Sequence, residues 1–405
     1  MFRFLTAGES HGRALVAIVE GVPAGLRLSP ADLVRDLGRR QLGYGRGQRM
    51  AIERDAAEIL SGVRHGETIG SPISLLIQNR DWTNWQHTMS VEADPPAETP
   101  GARRAVVSRP RPGHADLSAG LKYGRTDLRD VLERASARET AARVAVGAIA
   151  KQLLRQVGIE IASHVTELGG VKAATSHETP FAAIAALSDS DDIHCADPSV
   201  ADAMRQAVDR AKEAGDTLGG AFEVVVHQVP VGLGSHTQWD RRIDGRLAQA
   251  LMSIPAIKAV GFGIGPEVGS LPGSKVHDEI VRATGTPSGT VPLLSRPTNR
   301  AGGVEGGVTN GEDIRVTAWM KPISTLMKPL ASVDLKTMAS SPATIERSDV
   351  CALPAAAVVG EAVVAITLAE AVLDQFGGDT IDAFVAAHRH YVASLTTRLT
   401  PPESR

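Results

Sequence analysis

The sequence predicts an α+β fold. Three observations lead there: five runs rich in β-branched residues, several helices announced by their own caps, and no regular alternation of the two. A doubly wound sheet would alternate strand and helix, and an all-strand sandwich would space its strands evenly; this chain does neither.

The first strand candidate is residues 14–20. Ser29 before Pro30 then opens a helix to about Arg40, since proline suits the first helical position and serine the cap. Residues 73–78 form the second strand candidate. Thr126 offers a cap for the longest helix, about 127–156, whose apolar Val131, Ala135, Ala142, Val146, Ile149 and Leu153 recur at helical spacing. Residues 159–165 follow as a strand, and Pro198 opens a helix ending near Gly215. Residues 222–229 and 314–320 complete the strands. The apolar stretch 355–373 is interrupted by Glu361 and Glu370 and reads as a buried helix, not a membrane span. A last helix follows Asp379 or Thr380 and ends before Pro401. Residues 81–112 carry five prolines and little periodicity, a long loop of the kind that often serves function. Length alone suggests two or three domains, but no linker, low-complexity tract or repeat divides the 405 residues.

Composition narrows the class. A formal net charge of −3 argues against a dedicated nucleic-acid binder. Hydrophobic residues at 43% and charged residues at 22% leave disorder behind. Cys195 and Cys351 lie far apart, outside any C-x-x-C or Cys/His ligand pattern, which points away from disulfides and structural zinc. Residues 1–6 lead straight into a motif, with no room for a targeting peptide. A soluble cytoplasmic protein, touching neither nucleic acid nor membrane, is expected.

Arginine outnumbers lysine 34 to 9, and 20 arginines fall in the first 143 residues. Genome composition explains the preference over lysine but not the clustering. A guanidinium fork suits carboxylate and phosphate, so a small, multiply anionic ligand is expected. Several of these arginines sit in rigid or close-approach backbone: Gly43 Tyr44 Gly45 Arg46 Gly47 Gln48 Arg49, and Arg109 Pro110 Arg111 Pro112 Gly113 His114. Asp130, Arg134 and Arg138 form an i, i+4, i+8 ladder that would equally suit a solvated salt-bridge face.

Two histidines stand in matching settings. His11 lies in Gly8 Glu9 Ser10 His11 Gly12, and His114 lies between Gly113 and Ala115 with Asp116 close by. Small neighbours leave an imidazole accessible for proton transfer at neutral pH. A third cluster, residues 302–311, is glycine-rich and precedes a strand and then Lys321 Pro322 Ile323 Ser324 Thr325, an ammonium and hydroxyls suited to a phosphate. It is no Walker loop, and Gly261, Gly263 and Gly265 are followed by Pro266, so the dinucleotide fingerprint is incomplete.

Taken together, these clusters resemble the chorismate synthase family over nearly the whole chain. The family's blocks occur in order: Gly8 to Gly12 running to Glu20 Gly21 Val22 Pro23, then Glu133 Arg134 Ala135 Ser136 Ala137 Arg138 Glu139 Thr140, then Arg347 Ser348 Asp349 through Glu361. The arginine loops and the 302–325 region match in kind and order. The resemblance implies a single large β-α-β sandwich domain, helices between antiparallel sheets, assembled as a homotetramer. It implies a 1,4-elimination of phosphate from 5-enolpyruvylshikimate 3-phosphate to give chorismate, dependent on reduced FMN (FMNH2) without net redox change. No attached reductase domain is expected, so an external flavin reductase, drawing indirectly on NADPH, would supply the cofactor.

Residue by residue, the resemblance implies that His11 protonates the departing phosphate and His114 the reduced flavin, with Asp349 assisting. Ser10, Arg40, Arg46, Arg49, Arg109 and Arg134 would hold the substrate. FMN would contact Arg134, Ala135, Ser136, Pro255, Ala256, Gly306, Lys321, Pro322, Ile323, Ser324, Thr325 and Arg347, which takes Arg134 off the solvated face. Residues 254–265 depart from the family pattern. A flavin-independent phosphate lyase or transferase and an arginine-rich polyanion-binding module are the rival readings; only 14 aromatics weigh against the module.

Overall fold

The computed structural model describes residues 1–47, 55–93, 106–174, 178–346 and 349–400. One antiparallel sheet holds β1 (Arg3–Ala7), β2 (Ala14–Glu20), β3 (Ala57–Ile59) and β4 (Ile73–Gln78) in the order β1-β2-β4-β3. A second holds β5 (Glu160–Leu168), β6 (Val171–Lys172), β7 (Gly220–His227), β8 (Ile257–Phe262) and β9 (Ile314–Met320) in the order β8-β9-β7-β5-β6, again antiparallel. The α-helices among the described residues are α1 (Pro30–Gln41), α2 (Asp116–Tyr123), α3 (Arg129–Ala135), α4 (Thr140–Arg155), α5 (Phe181–Ala185), α6 (Pro198–Ala214), α7 (Ile243–Met252), α8 (Leu353–Phe376) and α9 (Ile381–Leu399).

Strand alternation sets the layers. Leu15, Ala17 and Val19 of β2 and Ile73, Leu75 and Ile77 of β4 are buried on one face, and α4 packs there. On the other side α8 packs on β5 and β7, and α4 and α8 pack on each other. Helices therefore lie between two antiparallel sheets, as the resemblance implied. Small residues permit the close crossings: a Cβ on Gly147 would fall 2.4 Å from Ala362 Cβ, and one on Gly360 would fall 2.4 Å from Phe222. The α8 helix is long and apolar enough to cross a membrane, yet 89% of its apolar window is buried inside the protein, which makes it a core helix.

A charged network crosses this middle layer. Glu361 of α8 is fully buried; its carboxylate accepts from Arg39 at 2.7 and 2.8 Å, from Lys151 at 2.6 Å and from Ser163 at 2.6 Å. Asp36 completes it, accepting from Lys151 at 2.5 Å and Arg39 at 3.0 Å.

The structure corrects the longest predicted helix. Residues 127–156 do not form one helix capped by Thr126. Instead α3 begins at Arg129, whose N–H donates to Asp127 Oδ1 at 3.0 Å. Ser136 is extended at φ −64, ψ 143, a 3₁₀ turn spans Ala137–Glu139, and α4 follows. The reason is a buried arginine. Arg40 donates to the Ala137 carbonyl at 2.9 Å and to Thr140 Oγ1 at 3.0 Å, while Arg138 pairs with Asp55 at 2.9 Å. The Asp130–Arg134–Arg138 ladder does not form either: Asp130 pairs with Arg125, and Arg134 reaches Thr6 and Gly8.

The other boundaries move by a few residues. β5 runs past 165 to Leu168 through a bulge between Val165 and Glu167, and β7 lies two residues upstream of its predicted span. Strands β1, β3, β6 and β8 were not expected; most are too short for a clear period, and glycine interrupts β8. Helices α1, α6 and α9 sit where their caps placed them; Thr380 accepts from the Ala383 N–H at 3.2 Å.

Candidate functional site

His11 lies in the turn between β1 and β2, and α3 closes over it. Glu133 Oε2 receives its backbone N–H at 3.2 Å and meets its ring Nδ1 at 2.6 Å, while the Glu133 carbonyl accepts from Ser10. One helical turn earlier, Arg129 pairs with Glu133 Oε1 at 2.8 Å. The imidazole stacks on Trp85 at 3.8 Å, and Trp85 is tied through Nε1 to Asp81. Burial pushes the Glu133 carboxyl up, but His11 and Arg129 outweigh it and hold the group below the ordinary glutamate range. The side chain of His11 keeps 13% of its surface open, whereas that of Glu133 has none.

His114 repeats the pattern in the turn before α2. Its Nδ1 lies 2.5 Å from Asp116 Oδ1, and Asp116 is fully buried. Arg111 grips Asp116 through Nε at 2.8 Å and Nη2 at 3.1 Å, and reaches Thr325 Oγ1 at 3.1 Å. Burial raises the Asp116 carboxyl, yet bonds from His114 and Arg111 hold it well below the ordinary aspartate range. Lys321 Nζ donates to the Gly113 carbonyl. Gly113 has φ 82, and a Cβ there would come 3.2 Å from Lys321 Nζ, so glycine permits this approach. Predicted residues 113–114 and 321–325 are thus brought together.

Asp349 pins the first arginine loop. Its carboxylate accepts from Arg46 at 2.5 Å and from the Gly47 N–H at 2.7 Å, and the Gly45 carbonyl accepts from the Val350 N–H at 2.8 Å. The Leu218 N–H donates to Val350, and neighbouring Thr217 donates to the Ile323 carbonyl at 2.7 Å. Hydrogen bonds therefore join residues 43–47, 349–351, 217–218 and 321–325, and Arg111 extends the chain to His114. Glu346 lies 4.0 Å from Arg129, and Thr344 bonds the Arg109 carbonyl at 2.8 Å, tying the His11 cluster to the same loops.

The remaining candidates divide. Arg134 is exposed and bonds the Gly8 and Thr6 carbonyls at 2.9 and 3.1 Å, with Ala135 and Ser136 beside it at the helix break. Arg109 is exposed next to Pro110. Ala256, at φ 70, accepts from the Lys321 N–H at 3.0 Å, which brings Pro255 and Ala256 to the 321–325 segment. Arg40 is buried against the helix break. Gly306 turns a separate hairpin, residues 304–309, whose Gly307 rests on Arg242 and Ile243. Arg49 and Arg347 lie outside the described residues. The Lys321 ammonium at Gly113 and the neighbouring Ser324 and Thr325 hydroxyls form a donor set that fits a phosphate-bearing cofactor. Of two grooves, one of about 290 Å³ is lined by Glu305, Val308 and Thr309 of the Gly306 hairpin, and one of about 360 Å³ by residues such as Val22 and Leu373; neither is lined by the His11 or His114 clusters.

Comparison with known proteins decides what this arrangement belongs to. The family model described as chorismate synthase matches residues 2–373. A chorismate synthase of Moorella thermoacetica is 57% identical over 399 residues, covering 98% of this chain and 100% of the relative. One of Trichlorobacter lovleyi is 54% identical, covering 97% and 99%. A crystal structure of chorismate synthase superposes with a TM-score of 0.77 at 41% identity, covering 98% of each chain. The chain belongs to the chorismate synthase family. It is accordingly an enzyme, a lyase that forms chorismate in aromatic amino-acid biosynthesis.

Within the chorismate synthase frame, four residues contribute more than their sequence context suggested. Glu133 sits in a family block, but its bond to His11 spans 122 positions, and no local pattern signals it. Arg129 and Trp85 reach the cluster only through folding. Arg111 looked like one more anion-binding arginine, whereas the structure commits it to Asp116. Asp116 itself was visible as a near neighbour of His114.

Proposed function

We propose that the chain catalyses the 1,4-anti-elimination of phosphate from 5-enolpyruvylshikimate 3-phosphate with reduced FMN as cofactor. The observation that carries this reading is the pair of partly open histidines, each anchored by a buried carboxylate, with Arg134 beside the His11 turn and Arg109, Arg111 and Lys321 beside the His114 turn. Reduced FMN, when bound, would supply transient electron density that helps the allylic phosphate depart and would take up the C6 hydrogen that the elimination removes, so that it ends as it began. His11 gives a proton to a phosphate oxygen as the C–O bond breaks. His114 would hold the proton given to the reduced flavin, and Asp349 would assist there while keeping Arg46 oriented. Arg46, Arg49, Arg109 and Arg134, with Ser10, hold the substrate's carboxylates and phosphate, for which guanidinium forks are suited. Arg40 contributes through the helix break that it stabilises. Residues Arg134 to Ser136, Pro255, Ala256, Gly306, Lys321 to Thr325 and Arg347 would hold the FMN.

The reading extends to a cytoplasmic homotetramer of single-domain subunits, with an external flavin reductase passing electrons from NADPH. One apolar cluster running from Phe2 to Phe384 supports the single domain. The test is anaerobic phosphate release from 5-enolpyruvylshikimate 3-phosphate with and without reduced FMN. Release is expected only with the reduced cofactor; equal release without it would remove the flavin from the proposal.

A further inference from the structure

The two histidines are held by the same device on unrelated elements. Arg129, Glu133 and His11 form one chain of contacts, at 2.8 and 2.6 Å; Arg111, Asp116 and His114 form the other, at 2.8 and 2.5 Å. In each, the carboxylate side chain is fully buried, the arginine nearly so, and only the imidazole keeps an open edge. In each, the nitrogen turned inward is Nδ1.

We propose that Glu133 and Asp116 are positioning residues, each fixing its histidine with the hydrogen on Nδ1 so that Nε2 is the atom presented for proton transfer. The proposal rests on the roles given to His11 and His114 above. An ionised carboxylate only accepts hydrogen bonds, so a ring nitrogen 2.5–2.6 Å from it must carry a hydrogen. A neutral imidazole has one such hydrogen, which leaves the Nε2 lone pair free. Arg111 Nη2 also lies 3.1 Å from His114 Nδ1, but arginine only donates. If Nδ1 instead accepted from Arg111, its lone pair would face the Asp116 carboxylate at 2.5 Å, a repulsive contact. Both donors converge on Asp116 Oδ1. The bond from each histidine, backed by the paired arginine, holds the carboxylate below its ordinary range, so that at neutral pH it is ionised and only accepts.

The device does a second thing. Glycine beside a turn histidine allows the backbone a wide range of conformations; Gly12 follows His11, and Gly113 precedes His114. Glu133 limits that freedom at His11 by also binding its backbone N–H at 3.2 Å, and Asp116 does so beside His114 by accepting from the Arg111 N–H at 3.1 Å. Each carboxylate thus fixes both ring and loop.

The test is ¹⁵N NMR of the full-length enzyme with selectively labelled histidine, recorded from neutral into alkaline pH. His11→Ala and His114→Ala assign the two rings by the signals they delete. In the unaltered enzyme both neutral rings are expected to carry the hydrogen on Nδ1. Glu133→Gln should shift the His11 ring toward the Nε2–H tautomer or a mixture and leave His114 unchanged; Asp116→Asn should do the reverse. Each should lower kcat on the order of 10- to 10⁴-fold with little change in KM, the upper end being the loss seen when a triad carboxylate is amidated. Rings that keep Nδ1–H in these variants would overturn the proposal, as would an Nε2–H tautomer in the unaltered enzyme, a reading that requires no carboxylate variant to fold. If the tautomers shift as expected while His11→Ala and His114→Ala keep full turnover, the positioning stands and the catalytic roles fail.

Discussion

Buried carboxylates serve opposite ends in two regions of this molecule. In the helical layer, Asp36 and Glu361 face Arg39 and Lys151, and Ser163 takes up a remaining Glu361 lone pair; the charges meet inside the core. At the loops, Glu133 and Asp116 are each gripped by one arginine, but the next partner is a titratable ring with an open edge. One network centres on the core and reaches the surface only through Arg39 and half-exposed Asp189, while the other extends the rigidity of a buried ion pair to a titratable ring with an open edge. The same ingredients hold the fold where the circuit closes and prepare chemistry where it ends on a histidine.

The sharpest way to break this contrast is to remove the open end. His11→Ala and His114→Ala should each slow turnover by about 10²–10⁴, the range for losing a proton-transfer group. Thermal unfolding should change less than on loss of Glu361, because Glu133 and Asp116 each keep their arginine partner when the ring is removed. Steady-state phosphate release under saturating reduced FMN, with thermal melts on the same samples, checks both halves. A variant that melted far lower while turning over normally would make its histidine a structural group and erase the distinction.

Opening the closed circuit should do the reverse. Glu361→Ala leaves Lys151 with Asp36 alone and Arg39 with Asp36 and half-exposed Asp189, and stranding buried charge in this way costs about 3–5 kcal/mol. The stability of the network also depends on pH. Burial pushes the Glu361 and Asp36 carboxyls up, but Arg39 and Lys151 outweigh it and hold both below their ordinary range. A carboxyl lowered on folding stabilises above its unfolded pKa, about 4, and that stability is lost as pH falls through the folded value. Melting temperature against pH should therefore drop in acid for the unaltered protein and more gently for Glu361→Gln. Parallel curves would place the acid-sensitive groups elsewhere.

How much of this was legible in the sequence follows the range of each interaction. Caps and periodicity act within a few residues, so α1, α6, α9 and the strands with clear alternation were readable from Ser29, Pro198, Thr380 and their apolar faces. The break at Ser136 was not, because it is caused by Arg40, about a hundred residues away, taking the Ala137 carbonyl. The site divides in the same way. His11 and His114 stood out through their small neighbours, and the arginine clusters through composition. The pairing of His11 with Glu133 exists only once β1, β2 and α3 have packed, and the reassignment of Arg111 from ligand to carboxylate clamp needs the geometry of the turn before α2.

The smallest expected effect isolates burial from charge pairing. Arg205 on α6 pairs with Asp192 and Asp202, both at 2.8 Å, distances as short as those around Glu361. Its side chain is about a third exposed and that of Asp202 far more so, so water already solvates the ions and salt screens them. Arg205→Ala should therefore cost only about 0.2–1 kcal/mol, and less still at high salt, by the same thermal melts. A loss comparable to that of Glu361→Ala would mean that contact distance, not desolvation, sets the worth of an ion pair here. A small loss would place the difference in burial, the property that also lets Glu133 and Asp116 act on their histidines without competition from water.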